Sequence, residues 1–112
     1  MPLPEQDVER VRDFCQARVP DHVLDQLRVE VDIGRGFLTI LECRAPWRED
    51  FGPEWTRMPV ARLRYVQRTG IWTLYYRDRN SRFHLYDLVG PSAKIDVLLN
   101  EIERDPTGIF WG

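Results

Sequence analysis

Arginine and aromatic side chains are concentrated between residues 55 and 82, where they could bind phosphate groups and stack on bases. This segment holds seven arginines, no lysine and one carboxylate, Asp78, which gives a net charge of +6. Guanidinium groups form paired hydrogen bonds with phosphates and carboxylates, and they stack on aromatic faces. The flanking segments are acidic, at −5 for residues 1–54 and −3 for residues 83–112. Two interpretations stay open: a basic contact surface, or arginines that pair with acidic side chains folded against them.

The contact-surface interpretation predicts a set of binding residues on neighbouring strands. In strand geometry Arg62 and Arg64 share one face, and so do Tyr75 and Arg77. Arginines beside aromatic rings can bind single-stranded nucleic acid, and the same residue types dominate protein–protein contacts. A nucleic acid and a protein are therefore both possible partners, although the acidic remainder of the chain would weaken long-range attraction to nucleic acid. The full predicted set is Arg62, Arg64, Tyr75, Arg77, Arg79, Arg82 and His84.

One enzymatic alternative is a divergent Mg²⁺-dependent nuclease. Asp32 and Glu42-Cys43-Arg44 resemble the pattern in which two carboxylates hold the metal and a lysine positions or activates water. Arg44 stands in the lysine position, and arginine cannot lose a proton in proteins. An ion pair between Glu42 and Arg44, which share a face, would also explain these residues.

No other catalytic or metal-binding pattern is present in the sequence. Zinc ligands usually occur in close pairs, whereas the possible soft ligands are far apart: Cys15, His22, Cys43 and His84. Neither serine, Ser81 or Ser92, lies in a nucleophile motif. The glycines of residues 34–36 join two strands and do not open a helix, so they do not form a phosphate-binding loop. We therefore predict no metal and no cofactor.

The elements that would position these residues follow from periodicity. Val8, Val11, Phe14 and Cys15 form one apolar stripe of a helix. The period then changes to two, which indicates strands. The predicted elements are a helix at Pro4–Arg18, strands at 27–33, 37–44, 55–68, 71–77 and 82–87, and a second helix that Ser92 would cap and that ends before Pro106. A bend is expected near Pro59, which lacks a ladder donor. This order predicts an α+β fold with both helices on one face of a five-stranded antiparallel meander.

The hairpin at Ile71–Tyr86 supplies both core and contact residues in this prediction. Trp72, Leu74 and Phe83 are expected in the core, which would confine contact to the tip at Arg77–Arg82, with Tyr75 and His84. The apolar tail is expected to pack back through Phe110 and Trp111. A homodimer that buries Trp111 and an exposed sheet edge is a further possibility.

Length and composition indicate one ordinary domain. A chain of 112 residues is near the commonest domain size and can bury a core without disulfides. No apolar run approaches the length of a membrane span, and the first residues lack the pattern of a signal peptide. Two cysteines in separate elements favour a reducing, cytoplasmic setting over a disulfide framework.

Several motifs together resemble a family of small bacterial proteins known as domain of unknown function 3024. The motifs extend over most of the chain: E-C-R-A-P-W (residues 42–47), E-W-T-R (54–57), P-V-A-R-L-R-Y (59–65), W-T-L-Y-Y-R-D-R-N (72–80), F-H-L-Y (83–86) and the ending D-P-T-G-I-F-W-G. The resemblance implies a complete single-domain protein. It brings no activity, ligand or catalytic residue with it.

Overall fold

The computed structural model describes residues 3–46, 48, 50 and 52–112. Its elements in chain order are α1 (Glu5–Arg18), a 3₁₀ turn (Asp21–Val23), β1 (Leu27–Gly34), β2 (Phe37–Arg44), β3 (Thr56–Val66), β4 (Ile71–Arg77), β5 (Phe83–Leu85) and α2 (Ile95–Arg104). The fold is α+β, as the periodicities predict. The strands β2 and β4 have the predicted bounds, whereas β3 and β5 are shorter than predicted at both ends.

The five strands form one antiparallel sheet in the order β1-β2-β3-β4-β5, which is a meander. A register shift interrupts the pairing of β2 with β3: Ile40 pairs with Ala61, but Leu41 pairs with Pro59. Val60 is thus an extra residue on β3, a β-bulge at the place where proline cannot donate to the ladder. The predicted bend near Pro59 is confirmed.

Both helices pack on the same face of the sheet and cover its apolar side chains. Leu38, Leu63 and Leu74 lie in one row across β2, β3 and β4, and each is at most 1% exposed. The fully buried indole of Trp72 lies in the same layer and donates from Nε1 to Asp7 Oδ2 of α1 at 2.8 Å. The helix thereby satisfies the one polar group of the largest core side chain. The core prediction for Trp72 and Leu74 is confirmed.

The two ends of α2 differ in how well the sequence predicts them. Ser92 does not cap the helix. Its backbone pairs with Trp72, and its Oγ accepts a hydrogen bond from the Lys94 amide. The tail after α2 packs as expected: Phe110 is buried, and Trp111 Nε1 donates to the Ile102 carbonyl at 2.9 Å. The Trp111 ring also lies under the Arg18 guanidinium, 4.0 Å from its centroid.

Three buried acidic protons make the protein sensitive to alkali. Burial raises the pKa of the Cys15 thiol from 9.0 to about 12. Burial, together with a 2.6 Å hydrogen bond to Glu101, raises the pKa of Tyr86 to about 12. Burial raises the pKa of Cys43 as well. Each group therefore holds its proton more tightly in the folded chain than in the unfolded one.

We expect these groups to leave the free energy of unfolding unchanged at neutral pH up to about pH 9 and to lower it as pH rises toward about 12. The unfolded chain loses these protons first, so alkali favours unfolding. Urea unfolding between pH 8 and pH 11 measures the fall. Cys15→Ala should show a smaller fall between pH 9 and 10, where the thiol of the unfolded chain, with a pKa of 9.0, ionises before its tyrosine, with a pKa of 10.0. An unchanged fall in that variant would contradict the assignment.

Candidate functional site

One face of the sheet carries neither of the described helices, and the arginines of β3 and β4 lie on it. Because side chains alternate along strands, the residues between the core positions point away from both helices. Leu41 and Cys43 are buried there without belonging to the core cluster under the helices. We call this surface the open face. It consists of Arg28, Glu30 and Asp32 on β1, Phe37, Thr39, Leu41 and Cys43 on β2, Arg57, Pro59, Arg62 and Arg64 on β3, Thr73, Tyr75 and Arg77 on β4, and Phe83 and Leu85 on β5.

Arg62 is held at the middle of the open face between two rings. Its guanidinium carbon lies 4.3 Å from the ring centroid of Phe37 and 4.1 Å from that of Phe83. Its Nε donates to Thr39 Oγ1 at 3.1 Å. The two rings and this hydrogen bond fix the plane of the guanidinium, and partial burial lowers the pKa of Arg62. The Nη1 and Nη2 donors have no protein acceptor among the described residues.

Arg62 belongs to a cleft of about 370 Å³ that we call the arginine cleft. It is lined by Arg35, Phe37, Arg62, Arg64, Tyr75 and Phe83. No described acidic side chain lines it, and none of its three arginines forms an ion pair with a described residue. Arg57, on the same face, behaves differently, because it donates to Glu30 at 2.9 Å and to Asp32 at 2.8 Å. The arginine cleft therefore presents uncompensated positive charge, whereas the β1 side of the open face is neutralised.

The turn between β1 and β2 positions two members of the arginine cleft. Gly36 has φ +82°, a left-handed conformation that favours glycine, and its carbonyl accepts from the Tyr65 amide of β3 at 2.9 Å. This turn carries Arg35. The Phe37 ring lies directly over the backbone of Gly34, where an added methyl group would overlap it. The short turn sequence thus places a cation and a ring beside Arg62.

The predicted contact residues separate into three groups. The structure brings Arg62, Arg64 and Tyr75 together in the arginine cleft. Arg77 is on the open face but is used structurally, since its Nε donates to the Pro59 carbonyl at 2.8 Å. Arg79 and Arg82 are exposed at the tip between β4 and β5.

His84 lies on the opposite face from the arginine cleft. Its ring packs on that of Tyr76, with the two ring centroids 5.4 Å apart, and its Nε2 lies 2.6 Å from Asp78 Oδ2. Asp78 also accepts from the backbone amides of Asn80 and Arg82, and its hydrogen bond with His84 is the main cause of its lowered pKa. Asp78 therefore holds the tip together and leaves the neighbouring arginine side chains unpaired.

A family model described as a domain of unknown function (DUF3024) matches residues 1–112. The chain belongs to this family. No curated protein matches it, and no solved structure matches it. No described helix of this DUF3024 protein is long and apolar enough to cross a membrane.

Three lining residues of the DUF3024 protein's cleft were not predicted as contact residues: Arg35, Phe37 and Phe83. The core prediction for Phe83 is wrong. It is half-buried on the open face because β5 pairs with β4 so that Phe83 is opposite Arg77 and His84 is opposite Tyr76. The short turn at residues 34–36 was the available signal for the other two, because it fixes which residues of β2 alternate away from the helices.

The two carboxylates of the nuclease hypothesis do not meet. In the β1–β2 ladder Asp32 is opposite Thr39, whereas Glu42 is opposite Val29, so they lie on different faces. Asp32 binds Arg57 on the open face. Glu42 binds Arg44 at 2.8 Å on the other face, as the ion-pair alternative expects. The described residues contain no group of three or more potential His, Cys, Asp or Glu ligands.

Proposed function

We propose that this DUF3024 protein is a non-catalytic binding domain that holds an anionic partner in the arginine cleft. The observation that carries the proposal is Arg62, a partly buried guanidinium between two rings with no carboxylate partner in the described structure. A charge removed from water is costly unless it is paired. An anion bound at the free Nη donors would supply that pairing.

The surroundings of Arg62 support an anion rather than a neutral ligand. Arg35 and Arg64 lie at the same cleft, and no described carboxylate competes for them. Their guanidinium forks suit phosphate and carboxylate oxygens. The partner is then a nucleic acid or an acidic segment of a protein, since arginine, tyrosine and other aromatic residues serve both kinds of contact.

Location and assembly are part of the same proposal. The two cysteines are free and buried, which supports a reducing cytoplasmic setting.

A homodimer would use the outer edge of β1, which has no strand partner among the described residues. Trp111 is less suited to an interface because its indole already binds its own chain. Sedimentation velocity measures the assembly state directly.

Removing two arginines from the cleft should abolish most binding without unfolding the protein. For Arg35→Ala/Arg64→Ala we expect affinity for an anionic probe to fall at least tenfold, since each charged hydrogen bond contributes about 1.5–3 kcal/mol. Suitable probes are pyrophosphate, single-stranded oligothymidylate and a polyglutamate peptide. Amide shifts in NMR titrations should cluster at Thr39, Arg64 and Tyr75.

The matched control removes the same charge from the helix side. Arg10→Ala/Arg12→Ala deletes two exposed arginines of α1 that pair with Asp96 and Glu9. This variant should bind within about twofold of the wild type, because α1 lies on the other face of the sheet. Equal losses in both variants would show attraction to net charge alone and would contradict a site. So would titrations in which no probe shifts the amides of the cleft.

A further inference from the structure

The arginines of the arginine cleft and those of the tip between β4 and β5 form a path rather than a single point. Arg35 lies in the turn before β2, Arg62 and Arg64 on β3, and Arg79 and Arg82 at the tip beyond β4. None of them forms an ion pair in the described part of the chain. A ligand with several negative charges at regular intervals could contact successive members of this path. The arginine fork is well matched to phosphate oxygens.

Tyr75 gives this path an aromatic surface at the arginine cleft. It is half-buried on β4, directly between Arg62 of β3 and Leu85 of β5 in the ladders. Neither its ring nor its hydroxyl has a partner among the described residues. An unoccupied ring beside free guanidinium groups is the arrangement on which bases stack while their phosphates bind arginine.

The position of the arginine cleft disfavours an extended peptide. Peptides that bind sheets usually add a strand at a free edge, where main-chain groups are unpaired. Arg62, Arg64 and Tyr75 belong to β3 and β4, which pair with strands on both sides. An acidic peptide here would have only side-chain contacts.

The fold also disfavours duplex nucleic acid. Reading the major groove of DNA usually requires a protruding helix or a two-stranded ribbon, but both helices of this protein lie behind the sheet. The arginine cleft, at about 370 Å³, is near the lower end of the volumes of ligand pockets, about 300–1,000 Å³. A cleft of this volume suits a single nucleotide of a strand rather than a duplex.

We infer that the partner is a single-stranded nucleic acid, with one base stacked on Tyr75 and the adjoining phosphates on Arg35, Arg62 and Arg64. The inference rests on the proposed binding function and names its ligand class. DNA and RNA strands share the chemistry that it uses, namely unstacked bases and a phosphate chain.

The test compares a seven-nucleotide oligothymidylate and its RNA counterpart with a polyglutamate peptide of equal charge and a short duplex. Fluorescence anisotropy with end-labelled probes gives each affinity as a function of salt. At least one single strand should bind more than tenfold tighter than both the peptide and the duplex. Three phosphate contacts predict a slope of log K against log[salt] of about −2, since each neutralised phosphate of a single strand contributes about −0.7.

Two substitutions then separate stacking from charge. Tyr75→Leu should weaken binding about tenfold with an unchanged salt slope, whereas Tyr75→Phe should bind like the wild type. Arg64→Ala should reduce the salt slope by about 0.7. Circular dichroism verifies that each variant is folded.

The outcomes distinguish this inference from the function on which it rests. If polyglutamate or duplex binds as tightly as the single strands, and Arg35→Ala/Arg64→Ala abolishes that binding, the anion site stands and the single-strand inference fails. Wild-type affinity in Tyr75→Leu also overturns the inference. If no probe binds at the arginine cleft, both proposals fail.

Discussion

Trp72→Ala is expected to lower the free energy of unfolding by about 3–5 kcal/mol, the range measured for truncating buried aromatic residues. Trp72 is fully buried, and its ring centroid lies 4.9 Å from that of Tyr65. Its Nε1 joins the sheet to α1 through Asp7. A loss of this size is a large part of the 5–15 kcal/mol that stabilises a typical domain. Urea unfolding followed by far-ultraviolet circular dichroism measures it.

Two further variants keep this prediction testable if Trp72→Ala does not fold. Trp72→Phe retains a buried ring but loses the hydrogen bond and some volume, so its cost should be smaller and measurable. Asp7→Ala removes only the acceptor and should cost about 1 kcal/mol. A cost below 1 kcal/mol for Trp72→Ala would show that the indole does not support the packing of α1 on the sheet.

The fold was predictable because its local signals agree with one another. Runs of apolar and aromatic residues in β2 and β4, with turn glycines before each, mark strands whose observed bounds equal the predicted ones. Pro59 marks the bulge because a residue without an N–H cannot continue a ladder. Ser92 shows where local propensity fails. It resembles a helix cap, but its backbone is taken by a bridge to Trp72, and α2 begins later at Ile95.

The site was only partly predictable because it depends on which residues meet across strands. Arg62, Arg64 and Tyr75 stand out by type, and alternation predicts that Arg62 and Arg64 share a face of β3. The position of Tyr75 beside them depends on the register of β4 on β3. The face of Phe83 does not follow from alternation alone. It is set by the register of β5 on β4, and that register depends on the conformation of the polar tip between the two strands. The sequence likewise cannot show that Arg77 is bound to the carbonyl of Pro59, which a bulge exposes on the neighbouring strand.

The distribution of ion pairs differs along the arginine block of residues 55–82, and this difference bears on its two interpretations. Internal pairing describes Arg57, which bridges Glu30 and Asp32. The other arginines of residues 55–82 are not paired internally, since they have no ion-pair partner among the described residues. Three acidic residues of the C-terminal flank have partners outside this block: Asp96 pairs with Arg10, Glu103 with Arg18, and Glu101 with Tyr86. The absence of ion pairs at these arginines, within the described residues, supports the proposal that they contact an anionic partner.

Arg62→Met should produce the largest loss of binding of any single substitution, about 10- to 100-fold. Its charged donors are worth about 1.5–3 kcal/mol to a bound anion, and the two rings hold them in place before binding. The same substitution should change the free energy of unfolding by less than about 1 kcal/mol. Methionine still packs between the rings, and the loss of cation–π attraction is offset by removal of a desolvated, unpaired charge. Isothermal titration and urea unfolding measure the two quantities.

Arg57→Met is the matched control, because it removes the same charge from the same strand and the same face. Arg57 already serves Glu30 and Asp32 outside the arginine cleft, so binding should change less than about twofold. Arg62→Lys should fall between these two variants, since it keeps the charge but loses the planar fork that two rings can sandwich. Equal affinities in Arg62→Met and Arg57→Met would contradict a central role for Arg62. A wild-type affinity in Arg62→Lys would show that only its charge matters and that the stacking between Phe37 and Phe83 serves stability alone.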